Sequence, residues 1–157
     1  MSIEIERKFL VKNLDFKKES FDKKYIKQGY LNSDKNRAVR IRIADNKAYL
    51  TIKGKSNLEG TTRFEWEKQI DLMEAESLFL LCEPGIIEKH RYLVSYQSLI
   101  FEVDEFNGDN KGLIIAEVEL TSENQKIEKP NWLGKEVTGD VKYYNSNISK
   151  FPFKNWV

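Results

Sequence analysis

The sequence predicts an α+β fold dominated by strands, with enough strand-like segments to close an eight-stranded antiparallel β-barrel and helices to pack outside it. Three observations predict it. About eight segments alternate apolar and charged residues at the strand period of two. Turn residues separate them, as at Asp45-Asn46 and Asn107-Gly108-Asp109-Asn110. The 157-residue chain, 40% hydrophobic and 12% aromatic, suits one domain over 1–157 with a substantial core.

The first predicted strand, 3–11, sets the pattern: Glu4, Glu6 and Lys8 share one face, while Ile3, Ile5, Phe9 and Val11 share the other with Arg7. Carboxylates can hold a hard cation and a lysine can hold a phosphate, so this strand alone points to metal-assisted phosphate chemistry. A helix is expected over 15–24, then strands at 25–31 and 37–44, the latter alternating Arg40 and Arg42 with Val39, Ile41 and Ile43. The strand 47–54 puts Tyr49, Thr51 and Lys53 on one face, and 61–71 alternates Arg63, Glu65 and Glu67 with Phe64 and Trp66. A helix over 72–81 follows, with Asp71 as N-cap and Met73, Leu78 and Leu81 on its apolar side. The strand 86–95 carries Lys89 and Arg91, with His90 on the opposite face in a structural role; 98–106 carries Glu102 and Asp104; 112–121 carries Glu117 and Glu119. After Lys129-Pro130, the segments around Trp132, Val141–Tyr144 and 145–150 read as short helical turns packing aromatics onto the barrel.

A single charged strand face is usually a solvated surface; its recurrence on nearly every strand is what gives it weight. If the apolar faces lie outward under helices, the charged faces line the interior. Burying so many ions without a ligand is costly, so such a lumen would be water-filled and suited to metal ions and a polyanion. Alternation alone equally allows the reverse, with apolar faces inside.

Charge and cysteine content narrow the partners. Lys+Arg of 26 against Asp+Glu of 25 leaves a net charge of +1, which offers no case for a nucleic-acid or anionic-membrane surface. Cys82, the single cysteine, excludes an internal disulfide, reads as a small buried hydrophobe and fits a reducing cytoplasm. No apolar run approaches a membrane span and no leader pattern stands at the N-terminus, so a cytoplasmic protein is expected. An outer face rich in Phe, Trp and Tyr fits a monomer or a homodimer.

Together these motifs resemble the CYTH proteins, also called triphosphate tunnel metalloenzymes, over almost the entire chain. The resemblance rests on Glu4-x-Glu6-x-Lys8, Gln28-Gly29-Tyr30-Leu31, Arg40-x-Arg42, Thr51-Ile52-Lys53-Gly54, Arg63-x-Glu65-x-Glu67, Lys89-x-Arg91-Tyr92, Val103-Asp104-Glu105-Phe106, Ala116-Glu117-Val118-Glu119-Leu120 and Glu136-Val137-Thr138-x-Asp140. It implies charged faces inside an eight-stranded tunnel. It further implies that Glu4, Glu6, Glu117 and Glu119, with Glu65, Glu67 and Asp104, bind Mg²⁺ or Mn²⁺. Lys8, Arg40, Arg42, Lys53, Arg63, Lys89 and Arg91 would hold triphosphate oxygens, with Lys142 a further candidate; Glu4, Glu6, Lys8, Asp104, Glu117 and Glu119 would form the catalytic set. For Arg63 and Glu65 a cross-strand ion pair is the alternative role. The compact chain and motif spacing look like the short bacterial members that hydrolyse inorganic triphosphate to pyrophosphate and phosphate. Class IV-type adenylyl cyclase, thiamine or nucleoside triphosphatase, and a non-catalytic polyphosphate- or nucleotide-binding module are the alternatives.

Overall fold

Alternation does produce strands, and the ladder between first and last closes them into a ring. The computed structural model describes residues 2–156. In chain order the strands are β1 (Ser2–Val11), β2 (Asp22–Asn32), β3 (Arg37–Ala44), β4 (Lys47–Ser56), β5 (Thr62–Ile70), β6 (Ile87–Tyr96), β7 (Leu99–Phe106), β8 (Ile114–Glu119) and β9 (Leu133–Glu136). They form one sheet in the order β5-β4-β3-β2-β6-β7-β8-β1-β9, and β5 also pairs with β1, so β1 to β8 close an antiparallel barrel. β1 is the closing strand: Ser2–Ile5 pair with β5 and Glu6–Phe9 with β8, and β9 takes the edge that β5 leaves free.

The apolar faces point outward, as a hydrophilic lumen requires. Phe9, Val94, Phe101, Val103 and Val118 pack with Trp132 beneath the short helix α1 (Phe16–Glu19), whose Phe16 is wholly buried. Trp132 meets Phe16 and Phe101 edge to face at centroid distances of 5.9 and 5.6 Å, the geometry that aligns ring edge with ring face. On the opposite side, α2 (Leu72–Phe79) lays Ala75 and Leu78 over Ile41, Ala48 and Leu50. One stretch of the interior is apolar instead. Ile87, Phe106 and Ile115 share inward parity with Lys89, Asp104 and Glu117, and with Leu113 and Ile148 of α3 (Asn145–Lys150) they form a buried cluster that stoppers one end of the lumen.

Several expected elements change under tertiary contact. Only Phe16–Glu19 of the expected helix over 15–24 is helical; Asp22–Lys24 extend β2, because β6 reaches back to Leu93 and supplies ladder partners that a lone helix of this length cannot match. α2 ends at Phe79, with Asp71 and Glu74 in a capping-box arrangement at its start, and Met73 and Leu81 stand 76% and 71% exposed rather than packed. The turn expected near Trp132 is β9: Lys12 N–H donates to Trp132 O and Val137 N–H to Lys8 O, both at 2.8 Å. No helix among the described residues is long and apolar enough to cross a membrane.

The β4–β5 loop meets the segment after β9 backbone to backbone. Gly60 has φ +77°, and a Cβ there would collide with Gly139 Cα. Gly60→Ala is therefore expected to destabilise by about 1–3 kcal/mol, from left-handed strain plus the clash; a thermal melt superimposing on that of the unaltered chain would refute it.

Candidate active site

The inward side chains line a cavity of about 340 Å³, near the lower end of the ~300–1,000 Å³ typical of small-molecule sites. Seven carboxylates and seven cations face it, and strand order sorts them. Glu102 on β7, Glu117 and Glu119 on β8, Glu4 and Glu6 on β1, and Glu65 and Glu67 on β5 occupy adjacent strands. Lys53 on β4, Arg40 and Arg42 on β3, and Lys89 and Arg91 on β6 stand on the other arc, while Lys8 and Arg63 interrupt the acidic one. Every expected site residue except Asp104 and Lys142 lines the cavity.

The basic arc holds its charge mostly without carboxylate partners. Arg42 donates from Nε and Nη2 to Gln28 Oε1 at 3.1 and 2.9 Å, and burial with neighbouring Arg40 and Arg91 pushes its pKa down. Arg40, 7% exposed, donates to Thr51 Oγ1 at 3.2 Å and lies 3.7 Å from Glu67. Its Nε is buried with no acceptor among the described residues, an orphaned donor of the kind an anionic ligand satisfies. Arg63 escapes the cross-strand ion pair considered for it: its Nε donates to Gly54 O at 3.0 Å and Nη2 to Lys35 O at 3.2 Å.

The acidic arc carries more negative charge than it can keep ionised unaided. Burial and the adjacent Glu117 and Glu4 push the Glu6 carboxyl well above its usual range. Burial and contact with Glu4 push Glu65 up to about 7, and burial with Glu4 and Glu102 raises Glu119. Burial would also raise Glu4 and Glu117, but Lys53 at 3.0 Å holds Glu4 low, and Lys8, at 3.6 Å from Glu117, acts with Arg91 to hold Glu117 low. Among the described residues no three of these groups converge as a ready cation cage; Glu4 and Glu117 are each engaged by a lysine. An all-oxygen set with carboxylates forced above their normal pKa is nonetheless the donor chemistry a hard divalent ion relieves.

Two expected site residues stand elsewhere. Asp104, 2% exposed, lies behind the lining: Oδ1 accepts from Arg91 Nε at 2.7 Å, and Oδ2 from Arg91 Nη2 at 2.9 Å and Lys89 Nζ at 2.8 Å. Both oxygens are spent on cations, so Asp104 aims them instead of holding metal or water. One carboxylate shared by two cations stays ionised, held down to about 2 by Arg91 and Lys89 against burial; burial with Arg91 and Arg42 nearby pushes Lys89 down to about 7. Lys142 is outside the tunnel, its ammonium 4.5 Å above the Trp156 ring in a separate surface groove, because the tail turns outward at Val141–Tyr143 before re-entering. His90 is on the outer face, tilted against Tyr25 at 5.4 Å between ring centroids.

Sequence reading missed the residues that the tail contributes. Tyr144 covers Lys8 and Arg63 at 5.1 and 5.9 Å, and Asn145 Oδ1 accepts from Lys89 Nζ at 2.9 Å and Gln28 Nε2 at 3.0 Å. Neither sits on an alternating strand, so no periodicity signalled them; Gln28, central to its strand between Ile26 and Tyr30, did carry the inward parity.

Comparison with known proteins agrees with this geometry. A family model described as the CYTH domain matches residues 2–152. The chain is 47% identical over 157 residues to an inorganic triphosphatase of Acetivibrio thermocellus, covering 99% of each chain. It is 35% identical over 150 residues to an inorganic triphosphatase of Nitrosomonas europaea, covering 93% of this chain and 96% of that one. Among solved structures, a crystal structure of an inorganic triphosphatase matches with a TM-score of 0.68 at 33% identity over 95% of both chains. From its first strand to the helix that stoppers the barrel, this chain belongs to the CYTH domain family.

Proposed function

We propose that this chain hydrolyses inorganic triphosphate to pyrophosphate and phosphate inside the barrel, using Mg²⁺ or Mn²⁺. The observation that carries the reading is the opposition of walls: cations with unspent donors, Arg40 and Arg42 foremost, face a carboxylate arc too negative to stay ionised alone. The end-to-end relatives named inorganic triphosphatase support it.

Glu4, Glu6, Glu117 and Glu119, with Glu65 and Glu67 beside them, would hold the metal. When bound, it supplies Lewis-acid polarisation of phosphoryl oxygens and a more acidic water. Arg40, Arg42, Arg91, Lys8, Lys53, Arg63 and Lys89 bind the phosphate oxygens, the arginine forks by two-point contacts, and neutralise charge that develops on the attacked and departing groups. A carboxylate of the acidic arc orients the water and takes its proton. Of the cavity lining, only Tyr30, Tyr144 and Ala38 offer apolar surface, so a nucleobase or thiazole would find little to stack on, and charge alone selects the substrate.

The test is phosphate release from tripolyphosphate, ATP, thiamine triphosphate and pyrophosphate, with Mg²⁺, Mn²⁺ or EDTA, and cyclic AMP measured in the ATP samples. Release should be fastest from tripolyphosphate and vanish in EDTA. Cyclic AMP formation, or equal rates with EDTA, would overturn the reading.

A further inference from the structure

The basic arc contains two uncharged side chains where ion pairs would be the ordinary solution. Gln28 is wholly buried, and its Oε1 is the hydrogen-bond acceptor for Arg42 among the described residues. Its Nε2 donates to Asn145 Oδ1, which also accepts from Lys89 Nζ. The donor order is forced: an arginine and a lysine can only donate, so both amides must present oxygen to the cations, and Gln28 is left with its N–H₂ for Asn145. One relay thus ties β3, β2, β6 and the start of α3 together, running Arg42, Gln28, Asn145, Lys89. Arg42 has no carboxylate within ion-pair distance among the described residues, although Glu at position 28 would fit the same shape with one oxygen in place of the amide nitrogen.

Resting on the triphosphatase reading above, we infer that Gln28 and Asn145 are positioning residues that fix the direction of Arg42 and Lys89 while leaving their positive charge unneutralised for the substrate. The physical case is a trade between fold and function. A carboxylate at either position would pair with the adjacent cation in a dry wall, favouring the empty protein but cancelling one of the charges that a polyanion needs. An amide satisfies the donors, costs no charge, and leaves a net positive wall whose desolvation is repaid when the anion arrives. Asn145 reaches further: it lines the cavity, and its Nδ2 has no protein acceptor among the described residues, leaving a donor available to a phosphate oxygen.

The experiment compares the full chain with Gln28→Glu, Gln28→Met and Asn145→Asp, following tripolyphosphate kinetics and thermal melts together. Gln28→Glu should raise KM by about 10-fold or more while the melting temperature stays level or rises, an opposition that a merely structural role cannot produce. Gln28→Met, which keeps the charge but frees the guanidinium, should lower kcat/KM with a smaller KM change. Asn145→Asp guards against misfolding at the buried position and should show the KM rise alone. An unchanged KM in folded Gln28→Glu and Asn145→Asp overturns the inference, as does Gln28→Met with full kcat/KM. Tripolyphosphate binding in EDTA, followed by calorimetry, keeps this separate from the function itself. If the unaltered chain binds but does not hydrolyse, the triphosphatase reading fails; a 10-fold weaker affinity in Gln28→Glu then still supports the amides' role, and an equal affinity removes it.

Discussion

Glu117→Gln is expected to lower the turnover of tripolyphosphate by about 10³-fold at saturating metal, with the barrel intact. The size follows from what the substitution removes. Against full burial, Lys8 and Arg91 keep the Glu117 carboxyl low, so it is the carboxylate of the acidic arc most firmly held in its charged form. Loss of one preorganised charged contact in a water-poor site costs on the order of 10²–10³ in rate, and loss of an anionic metal ligand adds to that. The amide is nearly isosteric, and the 3.6 Å contact with Lys8 is loose enough for the wall to tolerate it. Affinity for tripolyphosphate in EDTA should stay level or improve, since a negative charge has left a site for a polyanion. Near-normal turnover in Glu117→Gln would remove the acidic arc from catalysis, and turnover lost together with metal-free binding would show that the fold had failed.

Asp104→Asn should lower stability by about 3–5 kcal/mol, because it leaves the buried Lys89 and Arg91 without their shared counter-charge. For a domain of this size that is a fall of about 10 °C in Tm. The cost is pH-dependent, and the sign follows from the direction of the shift. Burial would raise the Asp104 pKa, but Arg91 and Lys89 hold it down, from 3.8 to about 2. A depressed carboxyl contributes stability that is fully present above its unfolded value and disappears as pH falls through its folded value. The melting difference between the two proteins should therefore be constant near neutrality and narrow below pH 3.8 toward about 2. Combining Asp104→Asn with Lys89→Met should recover part of the loss, since one stranded charge goes with it. A difference in Tm of less than about 2 °C at pH 7 would mean that solvent, not Asp104, balances these cations.

The residues of the site were legible because a strand shows its two faces as sequence parity. Glu4, Glu6 and Lys8, Arg40 and Arg42, Lys89 and Arg91, Glu117 and Glu119 were each recognisable as sets sharing a face before any fold was known, and all of them line one cavity. Parity does not report depth or company. Asp104 and Glu102 stand two residues apart on the same face of β7, yet Asp104 pairs across the ladder with Arg91 and disappears behind it, whereas Glu102 opposes Glu117 and reaches the cavity. Ile87, Phe106 and Ile115 have the same inward parity as the charged residues and close the lumen instead of extending it. Lys142 lay within a motif-like stretch, but two residues further along Tyr144 and Asn145 are the ones that enter the site.

By itself, then, the sequence determined the strands, their turns, the separation of charged from apolar faces and the identity of nearly all the tunnel-lining ions, since each of these follows from local periodicity and turn chemistry. Tertiary structure alone decided which face is inside, because alternation reads the same in either direction until β5 pairs with β1 and the ring closes. It also decided the sorting into acidic and basic arcs, which depends on strand order; the conversion of residues 22–24 and 133–136 into strand, which depends on free ladder edges; and the entry of Tyr144 and Asn145 from the tail. Each of these is set by partners distant in the chain, and the energy of a ladder, an ion pair or a relay exists only when both partners are in place.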